Sequence, residues 1–561
     1  MKRGILITIL VIMILIIFLA LVGGYIYMQF TREPHIPENS FLKIHLAGNI
    51  VDNETSSFTK KHSIRDLWYQ IKRAKIDPRI KGIVLKISYL RTGFAKIEDL
   101  GLLINDFKVS GKPVYAFVEY GGIKEYYLST FADKIYLFKG GQLFLKGLAS
   151  EAVFLKNTLS NLGIKAEMLH IGEYKTAANI FSKEKMTPAH KESLQKLLDD
   201  IYSSTLEGIA ANRNLDLAAV KNIFNETPVS NQAYLEAKFI DDIIYEDEIF
   251  DESKTKYKTV SFAIYKETTS PRPYEGAKKI AVIFAAGEIH TGKSGGKSLF
   301  GGDVLGADTV GRQLRIVRKN PLIKAVVLRI DSPGGSVVAS EVIRREVELV
   351  TKKKPLVISM SDLAASGGYW ISMSSSKVMA LPQTITGSIG VVAGKFVLKG
   401  LYDKIGLNKE IVKTSKYADM FSDYRGFNKG EKDKLMRMMQ TIYQSFLEVV
   451  ARHRKMKTEE VDKIARGRVW TARSAIELKL VDKVGGIDAA IKEAKKLAGI
   501  PETEAVGMRV YPRKKTMLDV IYEFIGANAN EPNPVLTIEA KINMYKKFFP
   551  ALLMPYKITI D

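Results

Sequence analysis

The chain of 561 residues is long enough for two or three domains, and 46% hydrophobic with 26% charged residues is the composition of a globular protein, not a disordered one. It has no cysteine, which excludes disulfides and thiolate metal sites. The formal charge of +23 is spread along the chain in short clusters such as Lys352-Lys353-Lys354. It reads as a solvated lysine-rich surface or as attraction toward anionic lipid; no basic helix, Cys/His finger or aromatic-basic cluster points to nucleic acid.

At the N-terminus, Lys2-Arg3 precede an uncharged run from Gly4 to Met28 dominated by Ile, Leu, Val and Phe. About 20 apolar residues cross a bilayer core, so residues 1–30 are expected to form a membrane anchor. The run exceeds the apolar core of a cleaved signal peptide, the alternative reading, and no clear A-x-A site follows it. Tyr25, Tyr27 and Phe30 suit the far interface. Positive charge ahead of the span predicts a single-pass protein of the inner (cytoplasmic) membrane, N-terminus in, with the bulk of the chain extracytoplasmic.

Beyond the span the chain repeats itself. Ile80-Lys81-Gly82-Ile83-Val84-Leu85-Lys86-Ile87 matches Ile323-Lys324-Ala325-Val326-Val327-Leu328-Arg329-Ile330, an offset of 243 residues (80 to 323). Lys112-Pro113-Val114 pairs with Lys354-Pro355-Leu356, Tyr127-Leu128-Ser129 with Trp370-Ile371-Ser372, and Phe239-Ile240-Asp241 with Leu480-Val481-Asp482. Ile280–Ala285, Ala325–Ile330, Leu356–Met360 and Val378–Ala380 read as strands, Val338–Lys352 and Glu431–Arg454 as helices. Strand–helix alternation with buried strands predicts an α/β architecture with parallel pairing. The expected organisation is a first repeat at 38–246, a linker at 247–279 marked by charge and by Pro271 and Pro273, a second repeat at 280–500, and a tail at 501–561. The stretch 292–302 is rich in Gly, Lys and Ser and reads as a loop; its spacing fails the P-loop pattern. Asp241 and Asp482 end matched apolar runs and read as structural turns or caps.

The copies differ where chemistry is possible. Asp331-Ser332-Pro333-Gly334-Gly335-Ser336 follows a buried strand and leads into a helix, whereas the first copy has Ser88-Tyr89-Leu90-Arg91-Thr92-Gly93. Paired glycines allow a tight turn whose backbone N–H groups suit an oxyanion hole. Downstream, Ala364-Ala365-Ser366-Gly367-Gly368-Tyr369-Trp370 places a serine on a small-residue turn; at the same offset the first copy has Ile123-Lys124-Glu125. Such a turn alone can be a helix N-cap and packing device. Together the two turns make complementary halves of an acyl-transfer site, with the Gly335 and Gly367 amides facing one oxyanion beside Ser366. None of the seven histidines lies between His290 and His453, so the base is left open. A buried neutral lysine can serve, but composition does not choose it. No metal or cofactor is called for.

Ala365-Ser366-Gly367-Gly368-Tyr369-Trp370, Asp331-Ser332-Pro333-Gly334-Gly335-Ser336 and Thr386-Gly387-Ser388-Ile389-Gly390 together resemble the long, duplicated form of bacterial signal peptide peptidase, SppA. The resemblance covers about residues 40–500. It implies tandem duplicated ClpP/crotonase-like domains behind an N-terminal transmembrane helix, and a Ser-Lys dyad split between the copies. By the family pattern, Gly172-Glu173-Tyr174-Lys175-Thr176-Ala177 holds the base, Lys175, and Ser388 orients it. Read locally, Lys175 is a surface lysine and Ser388 a turn residue. The resemblance further implies signal peptides and other membrane-associated peptides as substrates, and a homo-oligomer, a tetramer of duplicated protomers. A crotonase-like acyl-CoA enzyme and a non-catalytic membrane scaffold are the alternatives.

Overall fold

The computed structural model describes residues 13–18, 21–22, 24, 33–54, 62–250, 257–296, 303–513 and 551–553. Most of the expected anchor and most of the tail lie outside these residues. Among the described residues, no helix is long and apolar enough to cross a membrane.

Continuous apolar runs, buried on both faces, become the central strands of two sheets. In the first sheet the order is Asp242–Ile244, Lys134–Leu143, Val114–Gly121, Ile80–Leu90, Ser40–Gly48, Lys258–Ser261, parallel throughout. The second sheet repeats that order with Lys483–Val484, Lys377–Ala380, Leu356–Ala365, Ile323–Ser332, Lys279–Ala286 and Gly507–Tyr511, again parallel. The internal repeat of the sequence is thus a repeat of topology. Asp241 and Asp482 close equivalent corners: each accepts a strand N–H, from Ile135 and Val378, at 2.7 Å, and each pairs with an arginine, Arg213 and Arg454.

The expected boundaries need correction at both joints. Lys258–Ser261, assigned to the linker, is the edge strand of the first sheet, and the following helix Phe262–Glu267 buries Phe262 and Tyr265. Gly507–Tyr511, assigned to the tail, is the matching edge strand of the second. Each repeat therefore closes with a short strand that runs beside its own first strand. Four or five residues of mixed polarity carry too little periodicity to announce themselves; the partner strand makes them.

A third sheet joins the repeats. Its order is Val304–Gly306, Glu288–His290, Gly334–Ser336, Ala551–Leu553, Val391–Val397, Lys165–Ile171. The last strand comes from the first repeat and runs antiparallel to Val391–Val397 of the second, from Lys165↔Val397 to Ile171↔Val391. The hydrophobic cores are joined as well. One cluster runs from Ile44, Ile83 and Val118 of the first repeat to Val282, Val327, Val357 and Ile491 of the second, while the opposite face of the second sheet has its own core around Ile283, Leu328 and Ile358.

Two long helices follow their caps closely. Pro188–Arg213 starts at Thr187, whose hydroxyl accepts the His190 N–H, and stops at left-handed Asn214; Lys429–Arg454 starts at an Asn428/Glu431 capping box and stops at left-handed Lys455. The first of these lies against the second repeat, where buried Asp200 accepts from the Thr471 and Ser474 hydroxyls, both at 2.7 Å. Asp200→Ala orphans two buried hydroxyls at the seam. We expect a loss of about 1–3 kcal/mol, read as a lower urea midpoint with an unchanged denaturant slope.

Candidate active site

The strand Leu356–Ala365 ends at Ser366, which has φ 56° and ψ −112°, a left-handed conformation that is strained for a residue with a Cβ. The Ser366 N–H donates to the Gly387 carbonyl at 2.8 Å, which fixes the turn. Its hydroxyl makes no cap bond to the short helix Gly367–Ser372 that follows. The N-cap reading of this serine therefore does not hold; the side chain is committed elsewhere.

That commitment is to Lys175. Nζ lies 2.8 Å from Ser366 Oγ, 2.8 Å from the Ser388 carbonyl oxygen and 2.9 Å from Ser388 Oγ. A neutral amine has two N–H donors and one lone pair. Two donors serve the Ser388 oxygens, and the lone pair is left for the Ser366 O–H. Lys175, Ser366 and Ser388 are all fully buried. Burial alone holds the amine well below its ordinary value of 10.5, with no carboxylate opposing it. Ser388 is itself left-handed, at φ 53°, and its N–H donates to the Arg468 carbonyl at 2.7 Å.

Lys175 reaches this site because the strand Lys165–Ile171 crosses into the second repeat and the chain then turns at Gly172, φ 96°. A Cβ on Gly172 would lie 2.2 Å from the Arg466 carbonyl carbon, and one on Gly467 would lie 2.4 Å from the Lys175 nitrogen. The two backbones interlock, with the Tyr174 N–H donating to the Arg466 carbonyl at 2.9 Å. Arg468 adds a clamp, its guanidinium 4.8 Å from the Tyr174 ring centre and 4.4 Å from that of Trp470. Sequence reasoning missed the Arg466-Gly467-Arg468 segment altogether. Its partner is nearly 300 residues away in the chain, and nothing local distinguishes it.

The two glycine turns meet as expected. A Cβ on Gly367 would lie 3.1 Å from the Gly335 nitrogen, and one on Gly335 would lie 2.1 Å from the Ile289 carbonyl oxygen. Only glycine fits at Gly335, and a side chain at Gly367 would crowd both Ser340 Oγ and the facing turn. In the first repeat the position matching Gly368 is Glu125, which accepts the Gly122 N–H at 2.8 Å and the Leu90 N–H at 2.6 Å. The histidines lie elsewhere. His453 Nε2 is 3.0 Å from Ser374 Oγ, and His290 Nε2 is 3.2 Å from Glu288.

A serine protease of mixed α/β fold is the class this chain falls in. It belongs to peptidase family S49, whose model matches twice, at residues 106–260 and 348–501. It is 34% identical over 504 residues to the chloroplastic serine protease SPPA of Arabidopsis thaliana, covering 88% of this chain and 74% of that one. It is 32% identical over 548 residues to Protease 4 of Salmonella typhi, covering 90% and 86%. Among solved structures, a ClpP1 mutant from Listeria monocytogenes aligns with 38% of this chain and 94% of its own at 15% identity and a TM-score of 0.25.

A buried amine with a lowered pKa links stability to pH. Between its folded value and 10.5, the folded chain binds fewer protons at Lys175 than the unfolded chain does, so stability rises with pH across that window. Lys175→Met removes this dependence. We expect wild type to gain on Lys175→Met in melting temperature as pH rises from neutrality toward 10, and an unchanged difference would contradict a neutral buried amine.

Proposed function

We propose that the chain is a membrane-anchored serine endopeptidase in which Ser366 is the nucleophile and Lys175 the general base, acting on cleaved signal peptides and other membrane-associated peptides. The observation that carries this reading is the 2.8 Å approach of Lys175 Nζ to Ser366 Oγ inside a site where burial holds the amine well below its ordinary pKa. Neutral Lys175 takes the Ser366 proton as Oγ attacks a peptide carbonyl. Ser388 holds the two N–H bonds of the amine, so its lone pair cannot rotate away from the hydroxyl. The Gly335 and Gly367 amides receive the oxyanion of the tetrahedral intermediate. The protonated amine then delivers its proton to the leaving nitrogen, and water, deprotonated by Lys175, resolves the acyl-enzyme.

An extended peptide is the ligand that suits this cleft. The chain's own strand Ala551–Leu553 runs antiparallel to Gly334–Ser336, with Gly335 opposite Leu552, and touches Val391–Val397 through Val392↔Ala551. A substrate strand in that slot would present its carbonyls beside the oxyanion turn. The uncharged run Gly4–Met28 supports a single span of the inner membrane with the N-terminus inside, and the resemblance to SppA supports a ClpP/crotonase-like fold for both repeats and a tetramer.

Ser366→Ala and Lys175→Ala are each expected to remove peptide hydrolysis, the lysine change by at least about 10²–10⁴-fold, while leaving a cooperatively melting protein. Lys175→Arg should not rescue, because a guanidinium stays protonated. Full activity in either alanine variant contradicts the dyad. Removal of residues 1–30 is expected to move the chain from the carbonate-resistant membrane fraction to the soluble one, with Ser366 still labelled by a fluorophosphonate; membrane retention of that variant contradicts the anchor.

A further inference from the structure

Between the two repeats, beneath the active site, lies a cluster of charges that the dyad does not use. Lys96, 5% exposed, sits in the first turn of the first-repeat helix Phe94–Lys108. Its Nζ is 2.6 Å from Asp331, 2.9 Å from Asp362 and 3.3 Å from Asp52. Asp52 also pairs with buried Arg329 at 2.9 Å, and Arg329 with Asp99 at 2.7 Å. Two cations thus face four carboxylates. Burial, with the like charges of Asp52 and Asp362, pushes the Asp331 carboxyl above the usual carboxylate range against the pull of Lys96.

The placement of the two second-repeat carboxylates is what matters. Asp331 stands four residues before Gly335 and Asp362 four residues before Ser366, each near the end of the strand that leads into one of the two active-site turns. Each is tied down at its backbone as well. Asp331 Oδ1 accepts the Leu363 N–H at 3.2 Å, which ties together the ends of the two strands that lead into the turns. Asp362 caps the first-repeat helix, accepting the Lys96 N–H at 2.9 Å and the Gly93 N–H at 3.1 Å. A Cβ on Gly93 would fall 2.2 Å from the Asp362 carboxyl carbon, so glycine is needed for this approach. The repeat scaffold itself does not ask for a lysine here. At the offset of 243 residues, position 96 corresponds to Ala339, in the equivalent helix Val337–Thr351. A lysine at a helix N-terminus is also unfavourable unless carboxylates surround it.

We infer that Lys96 is a positioning residue that holds the oxyanion turn and the nucleophile turn in register by bridging Asp331 and Asp362 from the opposite repeat. The inference rests on the reading of Ser366 as nucleophile with the Gly335 and Gly367 amides as oxyanion donors. Such donors act only when they lie about 2.7–3.1 Å from the forming oxyanion, and displacement by about 1 Å costs on the order of 10²-fold in rate. A bridge between the bases of the two turns fixes that separation without touching substrate.

The test compares wild type, Lys96→Met and Lys96→Met/Asp331→Asn in the full-length protein, with rates divided by sites titrated with a fluorophosphonate. The probes are a peptidyl-aminomethylcoumarin ending in leucine and the aldehyde of the same peptide, which forms a tetrahedral adduct in the oxyanion site. Lys96→Met is expected to lower kcat by roughly 10–10²-fold with KM within about twofold, and to weaken the aldehyde in step with kcat. The double variant restores the net charge of the cluster. It is expected to regain melting temperature but not kcat or aldehyde affinity, which a merely structural role would restore together. If Lys96→Met does not accumulate folded, the double variant carries the same reading. A kcat within about twofold of wild type in the double variant, or a deficit confined to KM, overturns the inference. Ser366→Ala is assayed alongside: activity there defeats the dyad, whereas wild-type behaviour of the Lys96 variants alone defeats only the bridge.

Discussion

One dehydrated amine governs this structure. A lysine in water is protonated at neutral pH and cannot accept a proton from serine. Removing it from water, with no carboxylate among the described residues pairing with it, holds the pKa of its amine well below the ordinary value. Every unusual feature around Lys175 serves that removal. The backbone crosses from one repeat into the other, Gly172 and Gly467 allow main chains to interlock where side chains would collide, and the Ser388 carbonyl and hydroxyl give the amine polar partners that carry no charge. The left-handed backbone at Ser366 and Ser388 is the local cost of aiming both hydroxyls at one nitrogen.

Duplication supplied the scaffold, and divergence divided the labour. Both repeats keep the sheet order and the corner aspartates, Asp241 and Asp482. The second kept glycines where an oxyanion must enter. The first has Glu125 at the position of Gly368, where it accepts the Leu90 and Gly122 N–H groups. A carboxylate at that position brings negative charge, which does not suit the binding of an oxyanion. Freed of that role, the first repeat lends the second a lysine for the site and a helix to brace it.

Much of this was legible along the chain, and the limits have physical causes. Strands such as Ala325–Ile330 announce themselves because burial on both faces leaves an unbroken apolar run, and the long helices because their caps are written next to them. Lys258–Ser261 and Gly507–Tyr511 did not, since each is a strand only by virtue of a neighbour more than 200 residues away. Ser366 was conspicuous for the glycines it needs around it. Lys175 was visible only through family resemblance: nothing in Gly-Glu-Tyr-Lys-Thr-Ala says that the amine will be buried, because the burying surface belongs to the other repeat. Lys96 and Arg466-Gly467 were invisible for the same reason.

The crossing strand at Lys165–Ile171 has one more consequence, and it concerns time. During synthesis Lys175 is made first and Ser366 comes 191 residues later (175 to 366), each in a different repeat. Until the second repeat has folded and received that strand, Lys175 is a solvated, charged lysine and Ser366 an ordinary alcohol. On the proposed dyad, neither group meets its partner while the chain is still growing. Completion of the fold is then the step that brings the two side chains together.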